Sequence, residues 1–402
     1  MIRTNLHEKY VPMYHLGALG SGGLAISFFL YLNFLLPHES GIISFDQLWP
    51  VLTGEPSMKA FWIGLCLFVV FALSLLHIAL MIWNTREFSL FKKTDAYHKL
   101  RNSSAEISLM VVPLTMSMTV NVLFVNSSLL IPGLWEVIEY MFPLAMLAFV
   151  SIGVYALRIL GDYFVRMLLH KGYSFEQNNS LAPMVSIFAL SMIAVGLAAP
   201  AAMSHVREVI AVAIALSSFF ATSAALLIVV MLVIGFHTML THGIRPEAAP
   251  SLWLMIPITT LLGITYMHTS HGMGEALGGH TSSAEIYIVL MAIFSIQVIF
   301  GLIGFTVMKR LNYFKDFIYG DKVHATTYAL VCPGVALPVF GLFVVKFGLL
   351  GNTLISMWTP AHYLFLLPFL FIQLKTLQLL LTLVKRLQLT PSQSRMPNLQ
   401  TA

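Results

Sequence analysis

Four apolar stretches of this chain place a proline at a matching point: LMVVPLTM around Pro113, SLAPMVSI around Pro183, LMIPITTL around Pro257 and LVCPGVAL around Pro333. Each proline stands near the start of a long run that carries no charge until its end. Successive prolines lie about 70–76 residues apart, room for two membrane crossings of about 20 residues each with their connections. Proline removes a backbone donor and crowds the carbonyl one turn back. In hydrocarbon, the freed groups need a neighbouring helix or a water-lined cavity. The repeat therefore predicts equivalent helices in a repeated hairpin, each bent at its proline toward a common interior.

Composition places the chain in the membrane. Hydrophobic residues make up 58% and charged residues only 10%, whereas about a quarter of a soluble domain is charged. Cys66 and Cys332 both fall inside apolar runs, which argues against a disulfide framework. The net charge of +5 is confined to particular loops, so it reports orientation in a bilayer and not nucleic-acid binding. The polar start MIRTNLHEKYVPMYH reads as retained and not as a cleaved leader.

Apolar runs of membrane length number ten: 15–36, 61–83, 107–130, 137–159, 181–202, 209–238, 252–268, 286–307, 325–345 and 362–384. Connections after even crossings hold the cations, among them Lys92, Lys93, Lys99, Arg101, Arg166, Arg245, Lys309 and Arg310. Connections after odd crossings hold mostly acids, such as Glu39, Asp46, Glu136, Glu139 and Glu275. That alternation predicts an even number of spans with both termini in the cytoplasm. The expected fold is all-α and integral to the membrane: one transmembrane domain over 1–402, with ten helices as five hairpins (15–83, 107–159, 181–238, 252–307 and 325–384) around a central pore. Residues 387–402 are expected to form a flexible cytoplasmic tail.

Five segments carry a family resemblance: YHLGALGSGGLAISFFLYL (14–32), SAEISLMVVPLTMSMTVNVL (104–123), NSLAPMVSIFALSMIAVG (179–196), LWLMIPITTLLGITYMHTSHG (252–272) and TTYALVCPGVALPVFG (326–341). In hairpin arrangement they are similar to the tellurite-resistance/dicarboxylate transporter (TehA-like) family, which includes the slow-type anion channels. The resemblance implies a bacterial inner-membrane channel or carrier for small anions, its pore lined by the five odd helices. It also implies a homotrimer and no enzymatic activity. The family plugs its pore with a phenylalanine on the ninth helix, where this chain has Cys332, just before Pro333. A cysteine there also resembles the TsoY-type branch, in which cysteine alternates with selenocysteine.

An uncharged pore suits anions, because unpaired N–H groups at helix starts carry partial positive charge without a fixed cation that would trap the ion. The candidate lining residues are Pro113, Thr115, Ser117 and Thr119 on the third crossing, Pro183 and Ser186 on the fifth, and Pro257, Thr259 and Thr260 on the seventh. Cys332 and Pro333 belong to the ninth, and Gly20 and Gly23 of the first crossing stand in for its missing kink. The competing account of each hydroxyl is a bond to its own carbonyl one turn back. Arg158 and Asp162 read as a local ion pair.

No cofactor or metal is expected. The segment YMHTSHGMGEALGGH gathers His268, His271 and His280 with two methionines, yet its spacing fits no strong ligand motif. The rival function is a membrane oxidoreductase or a metal- or haem-binding protein using Cys332 or histidines.

Overall fold

The computed structural model describes residues 2–38, 41–169, 180–322 and 324–389. It contains ten helices long and apolar enough to cross a membrane. They are α1 (Pro12–Leu35), α2 (Met58–Phe91), α3 (Ser104–Leu130), α4 (Leu134–Leu169) and α5 (Ala182–Met203). The second half comprises α6 (Arg207–His242), α7 (Pro246–Ala276), α8 (Ser283–Arg310), α9 (Ala325–Leu350) and α10 (Pro360–Leu389). Long uncharged runs become helices because only an internally bonded backbone is tolerated in hydrocarbon.

Burial sorts the ten into two sets. In their most apolar stretches, α1, α3, α5, α7 and α9 have 83%, 61%, 83%, 78% and 83% of residues buried; the even helices have 28%, 39%, 22%, 11% and 17%. Odd helices are therefore mostly buried, and even helices show most of their surface to lipid. Each odd helix packs on its hairpin partner and on two other odd helices, in the order α1, α3, α5, α7, α9 and back to α1. The five hairpins thus form a closed ring, with inner helices around one axis and outer helices as a jacket.

Glycines set the seam where the ring closes. Gly17, Gly20 and Gly23 of α1 lie against Tyr328, Val331 and Val335 of α9, in that order. The two helices therefore run parallel, and the absent Cβ atoms let them approach. Gly263 of α7 likewise admits Phe340 of α9. The side of the molecule where the odd helices begin is called the near face below, and the opposite side the far face.

The prolines act differently from the expectation drawn from the sequence. Pro113 and Pro257 stand three residues into the α-helical parts that begin at Val111 and Met255, after 3₁₀ turns over Ser104–Met110 and Pro246–Trp253. Pro333 sits likewise after the 3₁₀ turn Ala325–Leu330, and Pro183 lies inside Ala182–Met184. In a first turn the missing N–H is an orphan anyway and the fixed φ suits a helix start. The repeated prolines thus mark the passage from 3₁₀ to α at helix starts and do not bend the crossings midway. Pro12 opens a 3₁₀ turn ahead of the α-helix beginning at His15, so the first hairpin shares the device.

Two further expectations change. Asp162 pairs with Arg101 (3.1 Å) and Arg166 (3.8 Å), not with Arg158, because Arg101 and Arg166 converge on the wholly buried Glu106 at the start of α3. The expected tail begins too early: Lys385–Leu389 continue α10, and Leu387 and Gln388 are buried. Residues 390–402 of that tail lie outside the described residues.

Candidate functional site

Which residues face the ring axis follows from what their neighbours touch, since successive side chains on an α-helix are turned by about 100°. On α9, Val331 and Val335 meet α1, Gly334 and Gly341 take Thr376 and Phe369 of α10, and Phe340 meets α7. Cys332 falls midway between the α1 and α7 directions, opposite α10. It therefore looks down the axis, and it is buried. On α7, Thr260 and Gly263 face α9 while Gly272 takes Ala201 of α5. Between those directions lie Pro257, Ile264 and His268.

The same construction on α1 puts Leu19 and Ile26 on the axis, between the glycines facing α9 and Gly22, which packs on Met118 and Val122 of α3. On α3, Leu123 is 54% exposed on the outer side, so Leu114 and Asn121 point inward. On α5, Met184, Phe188 and Ser191 share the axial strip. The axis is uncharged along these positions. Toward the near face its residues are buried, as at Leu19, Leu114, Met184 and Cys332. Toward the far face Ile26, Asn121 and His268 are only half-buried. The axis is therefore tightly closed near Cys332 and loosens, funnel-like, toward the far face.

Most candidate hydroxyls lie elsewhere, because in an apolar medium a hydroxyl bonds to the nearest carbonyl or clamps a neighbouring helix. Thr115 donates to the carbonyl of Val111 (2.8 Å), Ser186 to that of Pro183 (2.8 Å) and Thr259 to that of Met255 (2.7 Å). Thr260 donates to the Ala336 carbonyl of α9 (3.2 Å) and accepts from Gln297 of α8 (2.9 Å). Thr119 lies 2.9 Å from Nε2 of His77, whose Nδ1 is 2.8 Å from the carbonyl of Ala18. A carbonyl only accepts, so Nδ1 carries the proton, and Nε2 faces the Thr119 hydroxyl, whose hydrogen also reaches the Thr115 carbonyl at 3.0 Å. Ser117 is buried without a partner among the described residues and points toward α4 and α5. Gly20 serves the α1–α9 seam, Gly23 touches both Val335 of α9 and Met118 of α3 and so borders the axis, and Pro113, Pro183 and Pro333 turn away from the axis.

Of the residues proposed from sequence, then, Cys332, Pro257 and Gly23 border the axis and the other candidates sit at helix contacts. Asn121, Phe188 and Ser191 are axial residues that sequence reasoning missed. Their only signal was position: Asn121 is an amide within the apolar interior of an odd helix. His268, weighed only as a metal ligand, is axial too, and its Nδ1 is buried without a partner. No group of three or more His, Cys, Asp or Glu side chains that could hold a metal ion occurs among the described residues. Cys66 stands on α2, half-buried and away from the axis.

No protein-family model and no curated protein matches this chain.

Proposed function

We propose that this multi-pass helical membrane protein is a channel or carrier for small anions, which cross along the axis of the inner ring. One observation carries the reading: five parallel inner helices close around an axis without a charged side chain, and an apolar jacket shields them. All five begin on the near face, so their partly positive ends gather there. An anion meets an attractive mouth and no fixed cation to hold it, which suits conduction. We take the near face as cytoplasmic, because the cation-rich connections lie there.

The closed zone near Cys332 acts as the gate in this reading. A thiol fills far less space than a phenyl ring, so small side-chain movements suffice to open it. The purified protein in liposomes provides the test, with flux measured for chloride, nitrate, sulfate and malate. Wild type and Cys332→Ala are expected to pass at least one of these anions, and Cys332→Phe to lose most of that flux. Liposomes silent to every anion would overturn the reading, and an unchanged Cys332→Phe flux would take this residue off the path.

A further inference from the structure

Lys375 stands in the middle of α10, on a face of the jacket turned to lipid. Its neighbours fix that orientation. Gln373 and Thr376 face inward, one donating to Ser27 of α1 and the other filling the notch at Gly334 of α9. Leu364, Leu367, Phe371 and Leu374 are exposed on the outer side. Lys375 is exposed with them, its ammonium 5.8 Å from the centre of the Phe371 ring. It donates to Oε1 of Gln378 at 3.3 Å and forms no ion pair among the described residues. A cation at this depth is costly unless something of opposite charge meets it.

Polar groups continue from Lys375 toward the near face. Gln378, Thr382 and Lys385 follow at spacings that keep them on one side of a helix. Gln378 and Lys385 are exposed, and Thr382 donates to the Gln378 carbonyl at 2.8 Å. Because Oε1 of Gln378 takes the lysine hydrogen, its amide hydrogens are left for another acceptor. In the other direction the face is apolar, from Leu374 and Phe371 to Leu364. The outer surface of α10 is thus graded, cationic and amide-bearing on its near half and greasy on its far half. No Asp or Glu falls in the middle third of any crossing. A second copy of the chain therefore has no carboxylate to set against Lys375.

We infer that the outer face of α10 binds an anionic phospholipid of the near-side leaflet. Its phosphate is drawn inward to the Gln378 amide, with the Lys375 ammonium reaching toward it, and its acyl chains lie over Leu374, Phe371 and Leu367. A carboxylate on a partner helix would answer one depth only. The polar stripe instead runs from mid-crossing to the near surface, which is the path a headgroup takes. Charge selects the lipid: two lysines border that path, and a zwitterionic headgroup would bring its own cation against them. The inference is independent of the ring axis and of what crosses there.

The test uses the full-length protein in detergent, titrated with phosphatidylglycerol or with phosphatidylcholine, and counts the lipid retained by native mass spectrometry. Wild type should retain phosphatidylglycerol saturably and in preference to phosphatidylcholine. Lys375→Met should weaken that retention about tenfold, the worth of one charge-assisted hydrogen bond. The variant should still fold, since taking a cation off a lipid-facing surface removes a cost. Lys375→Arg should recover most of the retention, and Gln378→Leu should weaken it by a smaller factor. Lys309→Ala, which deletes an exposed near-face cation on α8, should leave it unchanged. Equal retention in wild type and Lys375→Met, or equal retention of the two lipids, would overturn the inference. A partner protein or an oligomeric state lost in Lys375→Met, with lipid retention unaltered, would overturn it too and give the stripe to a protein.

Discussion

The inner and outer helices are joined in two different ways on opposite sides of the ring. Around α1, α3, α7 and α9, polar side chains from the jacket reach inward. His77 spans Ala18 and Thr119, Gln297 holds Thr260 and through it Ala336, and Gln373 of α10 donates to Ser27 of α1 at 2.7 Å. Around α4, α5 and α6 the joints within the spans are apolar, and the polar links, Arg166 of α4 to Glu106 and Ser204 to Glu139 of α4, lie toward the helix ends. Phe149 of α4 fills the notch at Gly196 of α5, and Phe220 of α6 fills that at Gly153 of α4. Lipid tails are as apolar as these rings, so the hydrophobic effect adds little here. The phenylalanine side is held within its spans mainly by shape, whereas the other side adds directed bonds to ring-in-notch contacts such as Phe369 at Gly341. The difference teaches that one hairpin repeat tolerates two solutions to the same packing problem.

The largest effect should come from the side held by shape. Gly196→Ala would drive a methyl into the buried Phe149 ring, and overpacking of this kind costs about 3 kcal/mol. Thermal unfolding in detergent should register the loss, and adding Phe149→Leu should restore much of it. A loss that Phe149→Leu leaves untouched would mean that shape is not what holds this side. On the polar side His77→Leu should cost about 1 kcal/mol, the scale of a hydrogen bond between membrane helices. Thr119→Val added to it should cost almost nothing more, since both groups of the pair are then gone. Additive losses in that double variant would show that His77 and Thr119 act separately.

The smallest effect is a response to acid. His324, just before α9, lies 2.6 Å through Nδ1 from the Thr326 hydroxyl, which in turn donates to the carbonyl of Glu247 at the start of α7. Burial holds its pKa below the ordinary 6.5. The unfolded chain then binds the proton more readily than the folded one. The stability from neutral His324 is complete above pH 6.5 and declines as pH falls below that value toward the folded pKa. Thermal unfolding compared between pH 7.5 and pH 5.5 should show a modest loss in wild type that His324→Gln reduces. An equal loss in both proteins would place the acid sensitivity elsewhere.

The spans and hairpins were legible because length, apolarity and charge alternation are properties of whole segments. The faces were not. The inner helices are apolar nearly all round, so no polar stripe tells the axis from a helix contact; Leu114 and Val112 look alike in sequence. Pro113 and Pro333 suggest bends near the starts of their crossings because proline chemistry is legible while the 3₁₀ turn before it is not. Thr260 and Thr119 were taken for lining groups because their partners, Ala336 and His77, are distant in the chain. Cys332 entered the candidates for the axis only through the resemblance of its segment to a family's ninth helix. Asn121 and Ser191 fall on the axis by what the residues around them touch.

The glycine face of α1 has a consequence for how the protein is made. Its partner surface of Tyr328, Val331 and Val335 is more than three hundred residues away in the chain, and residue Arg3 donates its backbone N–H to Gln388 at 2.7 Å. During synthesis the first hairpin therefore waits in the bilayer with its closest-packing surface uncovered until nearly the whole polypeptide has been inserted. Ribosomal stalling or truncation before the ninth crossing leaves an open crescent whose two ends are free to seek other partners.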